Sequence, residues 1–509
     1  MASAYEIKKD TYYDSVTLML TSSDLEEMEG VEEAIVGMGT DYNLDSLQRL
    51  DLYREEFDEL TPHDLIFCVR AEDEETAQRA IRKAQDLLTE KKSSGGSQSE
   101  YTPPTQSSAA DMLPEANMVI ISVPGEYAAK EAHEALDNNR HVMLFSDNVS
   151  LQEELELKEK AVEKGLLMMG PDCGTAIINN KPLAFANSVR SGNIGVVAAS
   201  GTGLQEVTSI IHQVGGGISQ GIGVGGRDLS EKIEGRMTLL SARVLDKDDD
   251  TDVILLISKP PAKSILDDLL EELKSLQKPT AIFFIGADPD EIEKEGFTAA
   301  SNLEEAALKT CRLAGKEVEK PLVGEEEIKE KASGVKMSGD YVRGLYSGGT
   351  LCDEAQLLLV DELTEIYSNT PVEGCRQLDD LYESQKHTII DLGEDEFTRG
   401  RAHPMIDPKL RQERIVQEFE DEQTGLIMLD IVLGYGSHPD MAGAMLEASE
   451  EGRQKTDREL PVLVSLCGTD ADPQNYSEQK QKLQDAGVYV FPSNVSMVRF
   501  AQQCLRKEG

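Results

Sequence analysis

The 509-residue sequence contains no tryptophan, and aromatic residues make up only 5% of it. An aromatic groove that stacks nucleic-acid bases is therefore not expected. Basic residues are also scarce: 50 Lys and Arg stand against 95 Asp and Glu, which gives a formal net charge of −45. Because phosphate backbones and anionic membrane surfaces require a basic face, we expect neither a nucleic-acid nor a membrane partner.

Cysteine is sparse and unclustered. The seven cysteines are odd in number and scattered along the chain, which indicates reduced thiols and neither a disulfide framework nor a zinc site. The first ten residues have no apolar run of the kind found in a secretory signal. No stretch approaches ~18 uninterrupted apolar residues, so no membrane span is predicted. We expect a cytoplasmic protein without a bound metal.

The length suggests about three domains, and 39% hydrophobic residues can support packed cores. Residues 1–90 form a predicted α/β domain of ferredoxin-like or similar type, with strands at 15–20, 32–39 and 64–70 and a helix at 74–88. Residues 91–110 are rich in Ser, Gly, Pro and Gln without an apolar period, as is typical of a flexible linker.

Beyond residue 110 the pattern changes to short apolar runs that alternate with amphipathic helices. Such an alternation predicts parallel sheets covered on both faces. We expect three domains here, at 111–190, 191–317 and 339–509, with a charged connector at 318–338. The last two begin alike, with a strand, a turn of small residues and a helix, which predicts an internal repeat.

Two strand–turn–helix junctions carry the strongest chemical signal. They read Ser200-Gly201-Thr202-Gly203 and Ser347-Gly348-Gly349-Thr350. A helix N-terminus exposes backbone N–H groups and a partial positive charge, and glycine lets a ligand approach the backbone closely. Each junction is a candidate phosphate or carboxylate site. The alternative is that these residues only make a tight turn and an N-cap.

Further single residues stand at predicted strand ends. Residues 221–228 form a glycine-rich loop that presents Arg227, but the loop is a weak dinucleotide fingerprint because it opens no clear long helix. Lys259 could meet an anion, although a solvated lysine is commoner. Cys173 is a candidate nucleophile without a histidine nearby in the sequence, so a structural role is favoured.

The loop of residues 399–408 contains two prolines and brings Arg401, His403 and Asp407 close together in the sequence. Arginine suits a bidentate grip on carboxylate or phosphate, and histidine can transfer protons near neutral pH. These three residues are candidate catalytic groups. The alternative is a surface loop whose charged side chains are solvated.

Residues 111–505 resemble the NDP-forming acyl-CoA synthetase superfamily, which includes succinyl-CoA synthetase. Met169-Gly-Pro-Asp-Cys-Gly174 is similar to the turn that ends the CoA-binding domain of these proteins, and NIGVVAASGTGLQE (193–206) is similar to the SxSGTLxxE motif that follows it. The resemblance implies an α/β fold in which a degenerate Rossmann-like CoA-binding-type domain precedes two flavodoxin-like parallel-sheet domains of succinyl-CoA synthetase type.

The whole chain resembles the FdrA family. The matching runs include DSVTLM (14–19), GLLMMGPDCGT (165–175), VGGRDLS (224–230), YSGGTL (346–351) and HPMIDPKLR (403–411). The resemblance implies a subunit of an oxamate carbamoyltransferase in anaerobic allantoin breakdown, which interconverts oxalurate plus phosphate with oxamate plus carbamoyl phosphate. It also implies two partner subunits.

The sequence departs from the synthetases in three places. The GHAG turn that carries their phosphohistidine compares with Gly296-Phe-Thr-Ala299, which has no histidine. The glycine loop that binds CoA is not recognisable between residues 91 and 118. The N-terminal ~90 residues are too short for an ATP-grasp domain. We therefore expect the synthetase fold without the synthetase reaction, no certain cofactor, and CoA only as a possible ligand.

The resemblance suggests a mechanism in which the two helix N-termini face one phosphate. Gly201, Thr202, Gly349 and Thr350 would hold the phosphate of carbamoyl phosphate while Arg227, Arg401 or Lys259 balances its charge. His403 would shuttle the proton as the oxamate nitrogen attacks the carbamoyl carbon. Two alternatives remain open: an acyl-CoA ligase subunit that borrows nucleotide chemistry from a partner, and a structural or regulatory subunit.

Overall fold

The structure is a computed structural model that describes residues 105–259, 261–318, 321–398 and 402–506 without a break. It also describes residue 103 and residues 2–93 apart from positions 10, 12, 14, 27, 29, 41–42, 45–46, 49, 51, 58–59 and 62. The chain divides into two compact units, Met1–Thr102 with Glu394–His403, and Pro103–Gly393 with Pro404–Gly509.

The first unit contains a three-stranded antiparallel sheet in the order β1-β3-β2. A strand that lies between the two strands of a βαβ crossover is the arrangement of ferredoxin-like folds. A short 3-10 helix, Glu55–Phe57, precedes the third strand. The elements are β1 (Ala2–Lys8), α1 (Ser15–Glu26), β2 (Val31–Met38), β3 (Leu65–Ala71) and α2 (Glu74–Ser93).

The strand predicted at residues 15–20 is wrong, because this segment begins helix α1. Leu18, Thr21 and Leu25 are buried there, and their spacing of three and four residues places them on one face of a helix. A short apolar run does not distinguish a strand from a buried helix. Strand β1 was not predicted, since its small and polar residues carry little apolar signal.

The second unit begins with a small parallel sheet in the order β4-β5-β6. The predicted linker is wrong at both ends, because α2 continues to Ser93 and a helix capped by Thr105 starts at Gln106; residues 94–102 lie outside the described part. The elements are α3 (Gln106–Met112), β4 (Met118–Ile121), α4 (Gly125–Asp137), β5 (His141–Leu144), α5 (Leu151–Lys164) and β6 (Met168–Met169).

A seven-stranded sheet in the order β13-β12-β11-β9-β10-β7-β8 follows. The hairpin of β7 and β8 pairs with β10, so the domain boundary predicted near residue 190 comes too late in the chain. The elements are β7 (Thr175–Ile178), β8 (Lys181–Ala184), β9 (Ser191–Ala199), α6 (Gly201–Gln213), β10 (Ile218–Gly223), α7 (Arg236–Lys247), β11 (Val253–Ser258), α8 (Lys263–Leu273), β12 (Thr280–Phe284), α9 (Pro289–Lys294), β13 (Thr298–Ala299) and α10 (Leu303–Leu313).

A second seven-stranded sheet has the order β16-β15-β17-β14-β18-β19-β20. The predicted connector at 318–338 includes a helix, α11 (Glu325–Ser333), which buries Ile328 and Ala332. The remaining elements are β14 (Tyr341–Tyr346), α12 (Gly349–Leu359), β15 (Ile366–Ser368), β16 (Arg376–Gln377), β17 (His387–Asp391), α13 (Asp395–Thr398), α14 (Lys409–Glu420), β18 (Thr424–Val432), α15 (Met441–Thr456), β19 (Val462–Cys467), α16 (Tyr476–Asp485), β20 (Tyr489–Phe491) and α17 (Asn494–Leu505).

The two large sheets repeat one parallel pattern, β10-β9-β11-β12-β13 in the first and β17-β14-β18-β19-β20 in the second. This is the flavodoxin-like order 2-1-3-4-5, in which ligands bind at the carboxyl ends of the strands where the order reverses. Helices α6 and α12 follow β9 and β14 at this position. The flavodoxin-like prediction is confirmed, and we call the two repeats module 1 (191–313) and module 2 (341–505).

Candidate functional site

Helices α6 and α12 begin at the two predicted junctions. Ser200 is the N-cap of α6, and its Oγ accepts a hydrogen bond of 2.9 Å from the N–H of Gly203. Gly348 is the N-cap of α12 and provides no side-chain cap. Since the first N–H groups of a helix have no acceptor within the helix, both ends retain the donors that an anion would use.

The two helix N-termini lie against each other. The Oγ of Ser200 and the Oγ1 of Thr350 are 2.5 Å apart and both side chains are buried. A Cβ on Gly348 would lie 2.7 Å from Cγ2 of Thr202, closer than packed atoms approach. Only glycine at 348 therefore permits this contact, which brings the start of α12 to the start of α6.

Part of the predicted donor set is already engaged by the protein. The buried carboxylate of Asp430 accepts the N–H groups of Ser347 and Gly348 at 2.8 Å each, together with the Ser347 hydroxyl. The guanidinium of Arg411 donates to the same carboxylate at 3.1 Å. Burial raises the pKa of Asp430 above its ordinary value, while Arg411 and the N–H donors oppose that rise. Ser347 and Gly348 thus direct their donors to Asp430 and away from a ligand.

The donors that remain at the junction are the first N–H groups of the two helices, at Gly201, Thr202 and Gly349. A Cβ placed on Gly349 would lie 3.8 Å from Nζ of Lys259 and 2.5 Å from Oδ2 of Asp391. The structure thus brings the predicted Lys259 to the start of α12. The ammonium group beside helix N–H donors favours an anionic ligand, while the neighbouring Asp391 carboxylate opposes one.

Arg227 is engaged in contacts with the protein, and its predicted role toward an anion stays a prediction. Its guanidinium forms an ion pair of 2.8 Å with Glu154 on α5 and donates to the carbonyl of Val149. Glu154 also pairs with the fully buried Lys158, which in turn pairs with Asp228 at 2.7 Å. This buried network joins the glycine-rich loop to α5. Removing one partner of a buried ionic network leaves an uncompensated charge and destabilises the fold. We therefore assign this network to the packing of α5 against the glycine-rich loop.

The predicted grouping of Arg401, His403 and Asp407 is not tested by the described residues. Arg401 lies outside the described residues, and His403 groups with the first unit. Asp407 belongs to the second unit, where its Oδ1 accepts the N–H of Lys409 at 3.0 Å. A shared catalytic role for these three residues stays a prediction. Cys173 is buried and its pKa is raised to about 12 by burial, which removes the thiolate that a nucleophile needs.

Two carboxylates at the site, Asp391 and Asp430, were not predicted. Each ends or interrupts an apolar strand, and a charged residue in such a run is the signal that could have revealed them. The turn compared with the phosphohistidine loop lies elsewhere. Residues 296–297 precede β13, which runs parallel to β12, so this turn is at the amino-terminal edge of the sheet and Ser200 is at the opposite edge.

Two family models match the chain. One, described as CoA-ligase, matches residues 345–504, which is nearly all of module 2. The other, described as the AllF heavy metal-associated domain, matches residues 1–104. Residues 345–504 therefore form a CoA-ligase domain, and the succinyl-CoA synthetase-like fold expected from the sequence is confirmed.

The chain is similar to known proteins over different shares of its length. The chain is 41% identical over 507 residues to the uncharacterized protein YahF of Escherichia coli K12, covering 98% of each chain. It is 25% identical to a succinate–CoA ligase α subunit of Archaeoglobus fulgidus, over 41% of this chain and 73% of that one. It is 24% identical to the sulfoacetate–CoA ligase subunit SauD of Bilophila wadsworthia, over 36% of this chain and 64% of that one. A solved ATP citrate lyase from Methanothrix soehngenii is 16% identical over 43% of each chain, with a TM-score of 0.37.

The expected carbamoyltransferase activity is wrong in the light of these findings. The family model that matches residues 345–504 is described as CoA-ligase, and two relatives that match part of this chain are named as ligases. Residues 345–504 are CoA-ligase-like, and part of the chain is similar to a succinate–CoA ligase α subunit. No helix among the described residues is long and apolar enough to cross a membrane.

The metal implied by the description of the N-terminal domain does not fit the residues present. Residues 1–104 contain one cysteine, Cys68, which is buried and whose pKa burial raises to about 11. Soft metals are held by several deprotonated thiolates. In the described part of the chain, no group of three or more His, Cys, Asp or Glu side chains is placed to hold a metal ion.

The nucleotide half of CoA does not fit the residues of the small parallel sheet either. A Cβ on Gly125, at the start of α4, would lie 2.3 Å from the carbonyl of Asp147, so protein covers the backbone that a diphosphate would approach. The first turns of α4 and α5 carry Glu126 and Glu153, which would repel a diphosphate. Glu153 also completes a capping box with Ser150.

Proposed function

The chain belongs to the same family as YahF, and we propose that it is the α-type subunit of a CoA-ligase-like enzyme that binds the phosphoryl group of a small acyl phosphate, or inorganic phosphate, between α6 and α12. The observation that carries the proposal is the 2.5 Å contact between Ser200 and Thr350. This contact brings the first turns of two helices together, and an anion bound there would gain from the N–H donors of both.

The chemistry of the surroundings supports an anion of this kind. Lys259 supplies a cation beside the start of α12. Asp430 and Arg411 fix the backbone that precedes the helix, so the donors are organised before the ligand arrives. The chain holds no histidine between His212 and His387, and the proposal therefore involves no phosphohistidine. A nucleotide site is left to a partner subunit.

Membership of the FdrA type is a finer proposal. The match of residues 1–104 to the domain described as AllF supports it, as do the co-linear motifs in the sequence. Under this proposal the chain is a ligase-like protein with an added ferredoxin-like domain.

The test is calorimetric titration of the full chain with inorganic phosphate, acetyl phosphate and CoA in separate runs. We expect both phosphates to bind. In Gly349→Ala the new Cβ meets Asp391 beside Lys259, and we expect phosphate affinity to fall by about tenfold or more. Lys259→Met tests the same site without changing the backbone. Gly324→Ala is the control, because Gly324 lies at the start of another helix, as the N-cap of α11, and a Cβ there meets nothing within 4 Å.

The outcomes separate the competing assignments. Phosphate binding that is lost in the two site variants and kept in the control supports the proposal. CoA binding with no phosphate binding would contradict it and favour a CoA-binding subunit. No binding of any of the three ligands would favour a structural or regulatory subunit.

A further inference from the structure

Three glutamates lie buried where the two modules meet. Glu206 is on α6, Glu304 is on α10 and Glu354 is on α12, and all three side chains are almost fully shielded from solvent. Glutamate is rarely buried without a cation. Among the described residues, no lysine or arginine forms an ion pair with Glu206 or Glu354, so these carboxyl groups need another explanation.

Glu206 and Glu354 occupy equivalent positions in the internal repeat. Each is five residues beyond the first residue of its helix, Gly201 or Gly349. Each reaches the last helix of the other module. Glu206 of module 1 accepts the backbone N–H of Asn494 on α17 at 2.9 Å, and Glu354 of module 2 accepts the backbone N–H of Leu303 on α10 at 2.8 Å.

The two carboxyl groups also converge on one residue. The side-chain amide of Asn494 donates to Glu354 at 2.8 Å, while its backbone N–H is bound by Glu206. Its side-chain oxygen accepts the hydroxyl of the buried Tyr346 at 3.1 Å. Each glutamate thus caps a helix N-terminus across the module boundary, and the helices that carry them are the two whose N-termini form the candidate site.

We propose that Glu206 and Glu354 are positioning residues that form a reciprocal latch between the modules, and that this latch holds the starts of α6 and α12 together only while at least one of the two carboxyl groups is protonated. This inference rests on the proposed anion site and adds that anion binding at that site depends on pH. Two ionised carboxylates at Asn494 would repel each other in a buried setting where, among the described residues, neither forms an ion pair; one proton removes the repulsion.

Burial favours the protonated form of both glutamates, and Arg499 opposes it at Glu354. Burial, ahead of any other cause, raises the pKa of Glu206 to about 8 and that of Glu354 to about 7, although their hydrogen-bond donors oppose this. Both pKa values exceed the ordinary 4.5 of glutamate. The stabilisation that the latch gives to the folded protein is therefore complete below about pH 4.5 and is lost as the pH rises through about 7 and 8. The groups that face the pair from the surrounding elements are Glu304, Tyr346, Cys467, Tyr476 and Arg499.

The test measures sulfate affinity between about pH 6 and about pH 9, because sulfate stays a dianion over this range while phosphate titrates. In the unmodified chain we expect affinity to fall about tenfold across the range. Glu206→Gln combined with Glu354→Gln keeps the acceptor oxygens and removes the titration, so its affinity should be independent of pH. Glu304→Gln is the control: it changes a buried glutamate at the same boundary, bound to Ser493 and Ser496, and should keep the pH dependence. An equal slope in the double variant and the unmodified chain would overturn the proposal.

A second readout needs no ligand. Hydrogen exchange of segments 200–206 and 347–354, corrected for the intrinsic effect of pH, should accelerate with rising pH in the unmodified chain and not in the double variant. If sulfate binds to no form of the protein, the proposed anion site fails, and the exchange result alone then decides the latch. Exchange that is insensitive to pH in the unmodified chain would overturn it.

Discussion

Replacing Ser200 with alanine should lower the free energy of local opening at the start of α6 by about 2–4 kcal/mol. Loss of the N-cap acceptor for Gly203 costs about 1 kcal/mol, and the buried Thr350 hydroxyl loses its partner at a cost of about 1–3 kcal/mol. Thr350→Val should cost only about 1 kcal/mol, since Ser200 keeps its bond to Gly203. With both changes the orphaned hydroxyl disappears, so the double variant should cost about 2 kcal/mol. The two substitutions should therefore be coupled by about 1–3 kcal/mol.

Native-state hydrogen exchange of segment 200–206 is the suitable assay, because it reports local opening and does not assume two-state unfolding of a chain this long. Ser150→Ala provides the control, since Ser150 caps α5 in the same way but does not contact Thr350. It should cost about 1 kcal/mol in α5 and show no coupling to Thr350→Val. Effects of Ser200→Ala and Thr350→Val that add within about 0.5 kcal/mol would refute the opposed arrangement of the helices.

Three other predictions concern the surroundings of the site. Arg411→Met leaves the Asp430 carboxylate buried without its cation and should lower the free energy of unfolding of the second unit, measured in urea, by about 3–5 kcal/mol. Adding Asp430→Asn should restore stability. An unchanged urea midpoint for Arg411→Met would contradict the pairing of Arg411 with Asp430. Burial raises the pKa of the thiols of Cys68, Cys173 and Cys311 to about 11, about 12 and about 11. We therefore expect these cysteines to resist iodoacetamide near pH 8 in the native protein. Mass spectrometry that finds them alkylated before unfolding would show that they are accessible. Thermal stability should rise with added salt because a net charge of −45 is self-repelling, and the highest melting temperature at low ionic strength would argue against this.

The central strands of both modules could be predicted from the sequence because they are buried on both faces. Residues 253–257 are all apolar, and residues 426–433 are apolar apart from Asp430; the structure buries β11 and β18 throughout. Helix α1 could not be told from a strand by the same signal, since its run of apolar residues is as short as a strand. The hairpin of β7 and β8 joins the sheet through pairing with β10, a tertiary contact that local pattern does not encode.

The candidate site was predictable only in part. The starts of α6 and α12 follow from a strand, a small-residue turn and a helix, which are local features. Asp430 reaches the start of α12 from a strand more than 80 residues along the chain, and nothing local links the two. Arg227 looked available for an anion because its partner Glu154 is distant in sequence. Long-range ion pairs therefore decided which predicted donors remain available.

A selenate soak of crystals tests the central claim most directly, because selenium gives an anomalous signal that locates a phosphate-like dianion without assumptions about the reaction. The account predicts a peak between the starts of α6 and α12, within hydrogen-bond reach of the N–H groups of Gly201 and Gly349 and beside Lys259. Full occupancy elsewhere in the second unit with no peak at this junction would contradict it.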